Sequence, residues 1–212
     1  MLTIHHLGLS RSDRIIWLAE ELSLDYKLVT HVRNPETFRS PDSLWAVSPM
    51  GKAPVIEDAG LTIPESGAIV EYILDTYGNG RLRPAAGSQA YIDYLHWMHA
   101  AESTLMTPVF MNMIGGMSGL DNPIYVGFIK GEFDTVLGYM EKMLADRDYL
   151  AGEFSAADIM VTFPLMMLSS PMIPGPAGGD VLHNYENIKA YLQRIHDRPK
   201  WQKAEAIFRP EG

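Results

Sequence analysis

A chain of 212 residues, 47% hydrophobic and 20% charged, has the length and apolar content to bury a sizeable core, which excludes disordered and fibrous classes. Seventeen basic against 26 acidic side chains give a formal charge of −9, which argues against binding to nucleic-acid phosphates or to an anionic membrane surface. Cysteine is absent, so the chain offers no disulfide, thiolate metal site, iron–sulfur cluster or protein thiol nucleophile, and any thiol chemistry must arrive on a ligand.

In chain order, the segment Leu2 to Leu7 reads as a strand broken by Gly8. From Ser10 to Leu22 the spacing is helical, with Ile15, Trp17, Leu18 and Leu22 apolar and Arg11, Asp13, Arg14, Glu20 and Glu21 expected as the wet face. Asp25 to His31 alternates as a second strand, and Pro35 to Val47 reads as loop with a short helix. Ala53 to Asp58 and Gly60 to Ile63 form a hairpin, and Pro64-Glu65-Ser66 opens a helix to about Tyr77 with Ile69, Val70, Ile73 and Leu74 inward. Turn formers from Gly78 to Gly87 mark a linker, which divides the chain into a mixed α/β part at 1–80, a linker at 81–88 and an all-helical part at 89–212. Helices are expected there at about 89–114, interrupted or kinked by Pro108, and at 124–145, 155–170, 185–195 and 200–207, with a Pro- and Gly-rich loop from Ser169 to Gly179. No window approaches the roughly 18 apolar residues of a membrane span. The first 13 residues lack the pattern of a signal peptide, so the expected location is cytoplasmic.

Three junctions carry candidate chemistry, and each has a plain structural reading beside it. Ser10-Arg11-Ser12-Asp13-Arg14 lies where a strand enters a helix; a serine there is an N-cap, or a hydroxyl donor to an anion held at the positive helix end. Met50-Gly51-Lys52-Ala53-Pro54 puts a proline at the mouth of a strand, where a ladder donor is not needed. Pro64-Glu65-Ser66 is an acidic, proline-led helix start, a common arrangement in itself. His5 and His6 are expected on opposite faces of the first strand, one inward and one outward. His96, His99 and Glu102 share a helix face, which suits metal ligands or, more simply, surface polar residues, and no metal is assigned. The clustered methionines, Met172 among them, are core by default. Even so, Tyr94, Trp97, Met106, Phe110 and Met113 could line an apolar substrate pocket. Ser155 and Asp158 form a capping box, with Phe154 and Ile159 as its staple, and are fold determinants.

Taken together, "HHLGLSRSDRIIWLAEELSLDY", "SPMGKAPVIED", "LTIPESGAIVEYI", "FSAADIMVTFPL" and "YLQRIHDRPKWQKA" resemble the glutathione transferase superfamily over nearly the whole chain, with the look of a bacterial serine-type enzyme. The resemblance implies a thioredoxin-like N-terminal domain that binds glutathione, followed by an all-helical C-terminal domain that supplies the hydrophobic second-substrate site. It implies Ser10 as the hydroxyl donor to the glutathione sulfur, and Ala53, before a cis Pro54, as the backbone partner of the cysteinyl part. Glu65 and Ser66 would hold the γ-glutamyl end, and Lys52 would face the glycine carboxylate. Arg14 either tunes the field at Ser10 or is a solvated helix side chain. The implied activity is addition of the glutathione thiol to hydrophobic electrophiles by a cytoplasmic homodimer, with glutathione as co-substrate, no metal, no nucleic acid and no membrane. A non-enzymatic binding or assembly relative, or a glutathione-dependent peroxidase or ether-cleaving enzyme, are the alternatives. Without a cysteine near Ser10 the thiol-transfer branches lose weight, and with His5 and His6 in the first strand so do the tyrosine-type classes.

Overall fold

In the computed structural model the described residues are 1–170, 175 and 181–209. Most of the expected Ser169–Gly179 loop, and Met172, lie outside them. Among the described residues the elements run β1 (Leu2–Leu7), α1 (Asp13–Leu22), β2 (Tyr26–His31), α2 (Asp42–Trp45), β3 (Val55–Asp58), β4 (Leu61–Pro64) and α3 (Ser66–Tyr77). Helices follow: α4 (Gln89–Ala100), α5 (Met106–Met117), α6 (Pro123–Leu144), α7 (Ala156–Ser169), α8 (Glu186–His196) and α9 (Pro199–Phe208).

The four strands form one sheet in the order β2-β1-β3-β4. Strand β1 pairs parallel with β2, Leu2 opposite Tyr26 and Leu7 opposite His31, so the intervening α1 is the crossover that a parallel pair requires. Its other edge pairs antiparallel with β3, Ile4 opposite Ile56. The β3–β4 hairpin turns on Ala59 and Gly60, both at positive φ (49° and 83°), the backbone of a tight two-residue hairpin loop. This is the mixed sheet of a thioredoxin-like domain. On α3 the four residues expected inward, Ile69, Val70, Ile73 and Leu74, are all buried.

Two expectations about this region are corrected. The predicted wet face of α1 is not wet: Asp13, Arg14 and Glu20 are buried. The cover comes from α9. Trp201 packs its ring edge-on to Trp17 with centroids 4.7 Å apart, Arg198 forms a fork on Glu21 with two 2.9 Å bonds, and Lys203 Nζ lies 2.7 Å from Glu20. Arg14 is therefore not a solvated helix side chain. His5 and His6 do alternate across β1, yet both are buried, because an inner strand has neighbours over both faces.

The chain divides into two compact units, Met1–Leu82 together with the segment from His196, and Arg83–Ile195. The sequence partition at 89–212 put α9 with the other helices; in the structure it groups with the sheet. In the second unit the stretch from 101 to 105 separates α4 from α5, and Pro108 sits in the first turn of α5, where a missing amide hydrogen costs little. The capping box opens α7. The Ser155 amide donates to Asp158 Oδ2 at 2.8 Å, and buried Asp158 also receives the Leu150 amide at 3.0 Å and the Tyr191 hydroxyl at 3.1 Å. Phe154 sets its ring edge-on to Tyr149. No helix among the described residues is long and apolar enough to cross a membrane.

Candidate active site

Strand register gathers the sequence candidates of the first unit. Strand β1 ends at Leu7, β3 begins at Val55 opposite His5, and β4 ends at Pro64 opposite Val55. Ser10, Lys52, Ala53, Pro54, Glu65 and Ser66 therefore all emerge at one end of the sheet, with His31 ending β2 there as well.

Between β1 and α1 the chain turns through Leu9, at φ 54° and 75% exposed. A side-chain-bearing residue in the left-handed region is strained and persists only where its surroundings impose it. Arg33, just past β2, does so. Its Nε donates to the Gly8 carbonyl at 3.1 Å, Nη2 to the Leu9 carbonyl at 3.2 Å and Nη1 to the Phe38 carbonyl at 3.1 Å. Partial burial holds its guanidinium below the usual range.

Beyond that turn, Ser10 and Ser12 face each other with Oγ atoms 2.7 Å apart. Neither hydroxyl makes the usual N-cap bond of α1. The Ser12 amide donates to Ser10 Oγ at 3.2 Å, while Ser12 Oγ turns back toward β1. There it accepts the Leu7 amide at 3.2 Å and stands 2.8 Å from His6 Nδ1. Ser12 is fully buried; Ser10 keeps a small accessible surface. Burial, with the charge of His31, pushes the His6 imidazole down to about 4, so it is neutral at physiological pH. Asp13 follows: its Oδ1 is 3.8 Å from His6 Nδ1, is buried and accepts no hydrogen bond. Burial pushes this carboxyl up to about 7, against the opposing pull of Arg209 and Arg14.

On the opposite face of β1, His5 Nδ1 lies 3.0 Å from His31 Nε2 and His5 Nε2 lies 3.0 Å from Glu57, while His31 Nδ1 lies 2.9 Å from Ser43. Burial and then His5 lower the pKa of His31.

The strand entrance is built around Ser48, fully buried, whose Oγ donates to the Lys52 carbonyl at 2.9 Å and accepts the Lys52 amide at 3.0 Å. That pair of bonds presents Lys52 outward and delivers Ala53, and the Ala53–Pro54 bond is cis. Gly51, at φ 59°, has no space for a side chain, since an added Cβ would fall 2.3 Å from the Trp45 ring. At the third junction Glu65 is exposed and sits at φ 73°, another strained residue, and Ser66 Oγ is buried with no hydrogen-bond partner at the start of α3. An unpartnered hydroxyl beside the free amides of a helix start suits an incoming anion.

The second-unit candidates are not alike. Tyr94, Trp97 and Met106 are buried in the helical core, Trp97 stacked on Tyr139 at 5.9 Å, whereas Phe110 is exposed and Met113 half-buried on α5. His96 rests against the rings of Trp97 and Tyr139, and among the described residues no group of three His, Cys, Asp or Glu side chains could hold a metal. Sequence reasoning did not single out Arg33 or Ser48, and it gave His6 no partner. The Ser-x-Ser spacing after a histidine was the available signal for the His6–Ser12 contact.

Two family models match this chain, "Glutathione S-transferase, N-terminal domain" over residues 5–81 and "Glutathione S-transferase, C-terminal domain" over residues 125–203. The chain belongs to the glutathione S-transferase family. Glutathione S-transferase 3 of Schizosaccharomyces pombe is 32% identical to it, over 94% of this chain and 84% of that protein. Glutathione S-transferase 4 of Zea mays is 31% identical over 94% and 89%. A crystal structure of a glutathione S-transferase from Actinobacillus pleuropneumoniae superposes with a TM-score of 0.83 at 30% identity, covering 98% of this chain and 93% of that one. A sphingomonad glutathione S-transferase, solved in complex with glutathione, gives 0.72 at 25% identity, covering 99% and 100%. These relatives span fungi, plants and bacteria, so they support the family without singling out its bacterial serine-type branch.

Proposed function

We propose that this glutathione S-transferase holds glutathione at the sheet end that carries Ser10, Lys52, Ala53, Pro54, Glu65 and Ser66, and that Ser10 donates its hydroxyl proton as a hydrogen bond to the glutathione sulfur. A free thiol ionises near pH 8.5, so only a few per cent is thiolate at neutral pH. A hydrogen-bond donor and a helix N-terminus both favour the anion and lower that value. The observation that carries the reading is the placement of Ser10: it is the serine of the pair that retains accessible surface, at the start of α1. Ser12 is spent internally. Ala53 offers its backbone to the cysteinyl part, while Glu65 faces the γ-glutamyl ammonium and the α3 start with Ser66 its carboxylate. Lys52 faces the glycine carboxylate. Arg14, buried in the first turn of α1, acts on the field around Asp13 and Ser10.

The thiol proton passes to solvent, the sulfur lone pair forms a bond to an electrophilic carbon, and a leaving group such as halide departs with its bonding pair. The electrophile is a hydrophobic one. Its apolar surface is assigned to the helical unit, with Phe110 and Met113 accessible on α5 and Tyr94, Trp97 and Met106 buried in that unit's core. A cytoplasmic homodimer is the assembly the resemblance implies. Ser10→Ala should lower kcat/KM for a generic aryl halide at neutral pH by about 10-fold or more, while the glutathione Kd stays within about two-fold. An unchanged rate removes Ser10 from the chemistry. Hydroperoxides and aryl ethers assayed beside the halide separate conjugation from reduction on the same scaffold.

A further inference from the structure

Ser12 has one hydroxyl proton and two lone pairs, and four groups surround it. The Leu7 amide, at 3.2 Å, can only donate, and the Leu7 carbonyl, at 3.3 Å, can only accept. Ser10 Oγ at 2.7 Å and His6 Nδ1 at 2.8 Å can do either. Two arrangements satisfy the short contacts. If His6 carries its proton on Nε2, Nδ1 is an acceptor and takes the Ser12 proton. Ser12 then accepts from Leu7 and from Ser10, and the Ser10 proton is consumed inward. If His6 carries its proton on Nδ1, Ser12 accepts from Leu7 and His6, and both its lone pairs are filled. The Ser12 proton then goes to Ser10. Ser10 Oγ now accepts from the Ser12 hydroxyl and from the Ser12 amide at 3.2 Å, so its own proton must point away from the protein.

Only the second arrangement gives a thiolate a donor; the first would face it with a lone pair. We propose that His6 and Ser12 are positioning residues of the transferase reaction, a relay running from His6 Nδ1–H through the Ser12 hydroxyl to the Ser10 hydroxyl, which aims the Ser10 proton at the glutathione sulfur. The proposal rests on the assignment of Ser10 as the thiol partner. Asp13 supplies the bias. In its ionised form, which prevails above about pH 7, its Oδ1, without a hydrogen-bond partner and 3.8 Å from Nδ1, makes the Nδ1 side of the ring the better place for a proton. The charged groups around the pair are His31 on β2, which opposes a full positive charge on His6, and Arg14 on α1 with Arg209 beyond α9, which act on Asp13. With His6 neutral, the switch is one of tautomer and not of charge. Hydrogen bonds in series polarise one another, so the relay also makes Ser10 a stronger donor than an isolated serine.

The direct test is nitrogen-15 NMR of the full chain with labelled histidines, saturated with glutathione at about pH 8, where Asp13 is ionised, the His6 signals being assigned by their loss in His6→Asn. A proton on Nδ1 is expected; a proton on Nε2 overturns the relay. Variants give the second arm. Ser12→Ala and His6→Phe should each raise the pKa of bound glutathione, read from thiolate absorbance against pH, by about 0.5–1 unit with little change in Kd. His6→Asn, whose amide nitrogen donates from nearly the same place, should recover at least half of that shift. In a Ser10→Ala background neither change should shift the thiol further. If Ser10→Ala itself leaves the thiol pKa untouched, the Ser10 assignment fails. If Ser10→Ala raises it while Ser12→Ala and His6→Phe do not, or raise it equally without Ser10, the relay fails and the Ser10 assignment stands.

Discussion

Asp13 sits in the first turn of α1, where the helix dipole favours a negative charge, yet burial outweighs the dipole and moves its carboxyl up to about 7. His6, 3.8 Å away, is moved down to about 4 by the same cause, with His31 adding to it. The two therefore contribute to stability in opposite senses. Asp13 binds its proton more tightly folded than unfolded, so its contribution is full below about 4 and is lost as pH rises through 7. His6 binds its proton more weakly when folded, so its contribution is full above 6.5 and is lost as pH falls toward 4. Asp13→Asn removes the first effect and leaves the second. Relative to the native chain, the variant should gain on the order of 2–4 kcal/mol between pH 4.5 and pH 8, by urea unfolding at both pH values. A difference that stays flat with pH would show that Asp13 is not carrying a buried charge. At this scale the sequence displayed Ser10 as a candidate, because strand, glycine and serine in succession mark a helix entry. It did not display the environment of His6 and Asp13, since burial is a property of the folded packing and the charges that act on them include His31 on β2 and Arg209 beyond α9.

The Gly8–Ser10 turn illustrates the same division between local signal and remote support. Gly8 ends β1 and a serine opens the next element, which is readable; that Leu9 must adopt a positive φ, and that an arginine beyond β2 holds it there, is not. Arg33 spends its three nitrogens on three carbonyls, two of them in this turn. Hydrogen bonds from a charged donor are worth about 1.5–3 kcal/mol each when buried, and partial exposure reduces that here. Arg33→Ala should cost about 1–2 kcal/mol of stability and, on the proposed assignment, lower kcat more than it raises the KM for glutathione, because Ser10 loses its fixed orientation while Glu65 and Ser66, the proposed γ-glutamyl contacts, are untouched. Arg33→Lys keeps the charge but cannot reach three carbonyls, and should recover little of the kcat; full recovery would mean that charge alone matters. The other elements were legible for physical reasons that operate locally. Alternation marked β2, turn formers marked the β3–β4 hairpin, and the i, i+3, i+4 spacing of Val70, Ile73 and Leu74 fixed the inward face of α3. Four of the later helices begin at a cap or a proline, α4 at Ser88, α6 at Asn122, α7 at Ser155 and α9 at Pro199, while α5 follows Leu105 with no side-chain cap. The polar face of α1 misled because a helix with charged residues on one side reads as solvated whether its partner is water or another helix carrying opposite charge.

At the scale of the whole chain, the sheet unit is closed by its own C-terminal segment. Helix α9 returns to α1 across more than 170 residues of sequence and places Trp201 between Trp17, at 4.7 Å, and Phe208, at 5.6 Å, with His196 stacked at 5.7 Å. Glu21 ties the same contact together, accepting from the Trp17 indole at 3.0 Å and from the Arg198 fork. Because Ser10, the proposed thiol partner, lies at the entry to α1, α9 supports the element on which that proposal depends. Truncating a buried tryptophan costs about 3–5 kcal/mol, a large part of the stability of a small unit. Trp201→Ala should therefore speed hydrogen exchange of the α1 amides by about 100-fold or more while leaving those of α7, in the other unit, within about three-fold. The glutathione Kd should rise in the same variant, since binding would have to reorder the α1 entry. Arg198→Ala should act in the same direction but less strongly: the Trp17 indole still satisfies one oxygen of Glu21, and the aromatic packing is intact. Exchange that quickens equally in α1 and α7 would show instead that the chain unfolds as one body, and that α9 supports no separate unit around the site.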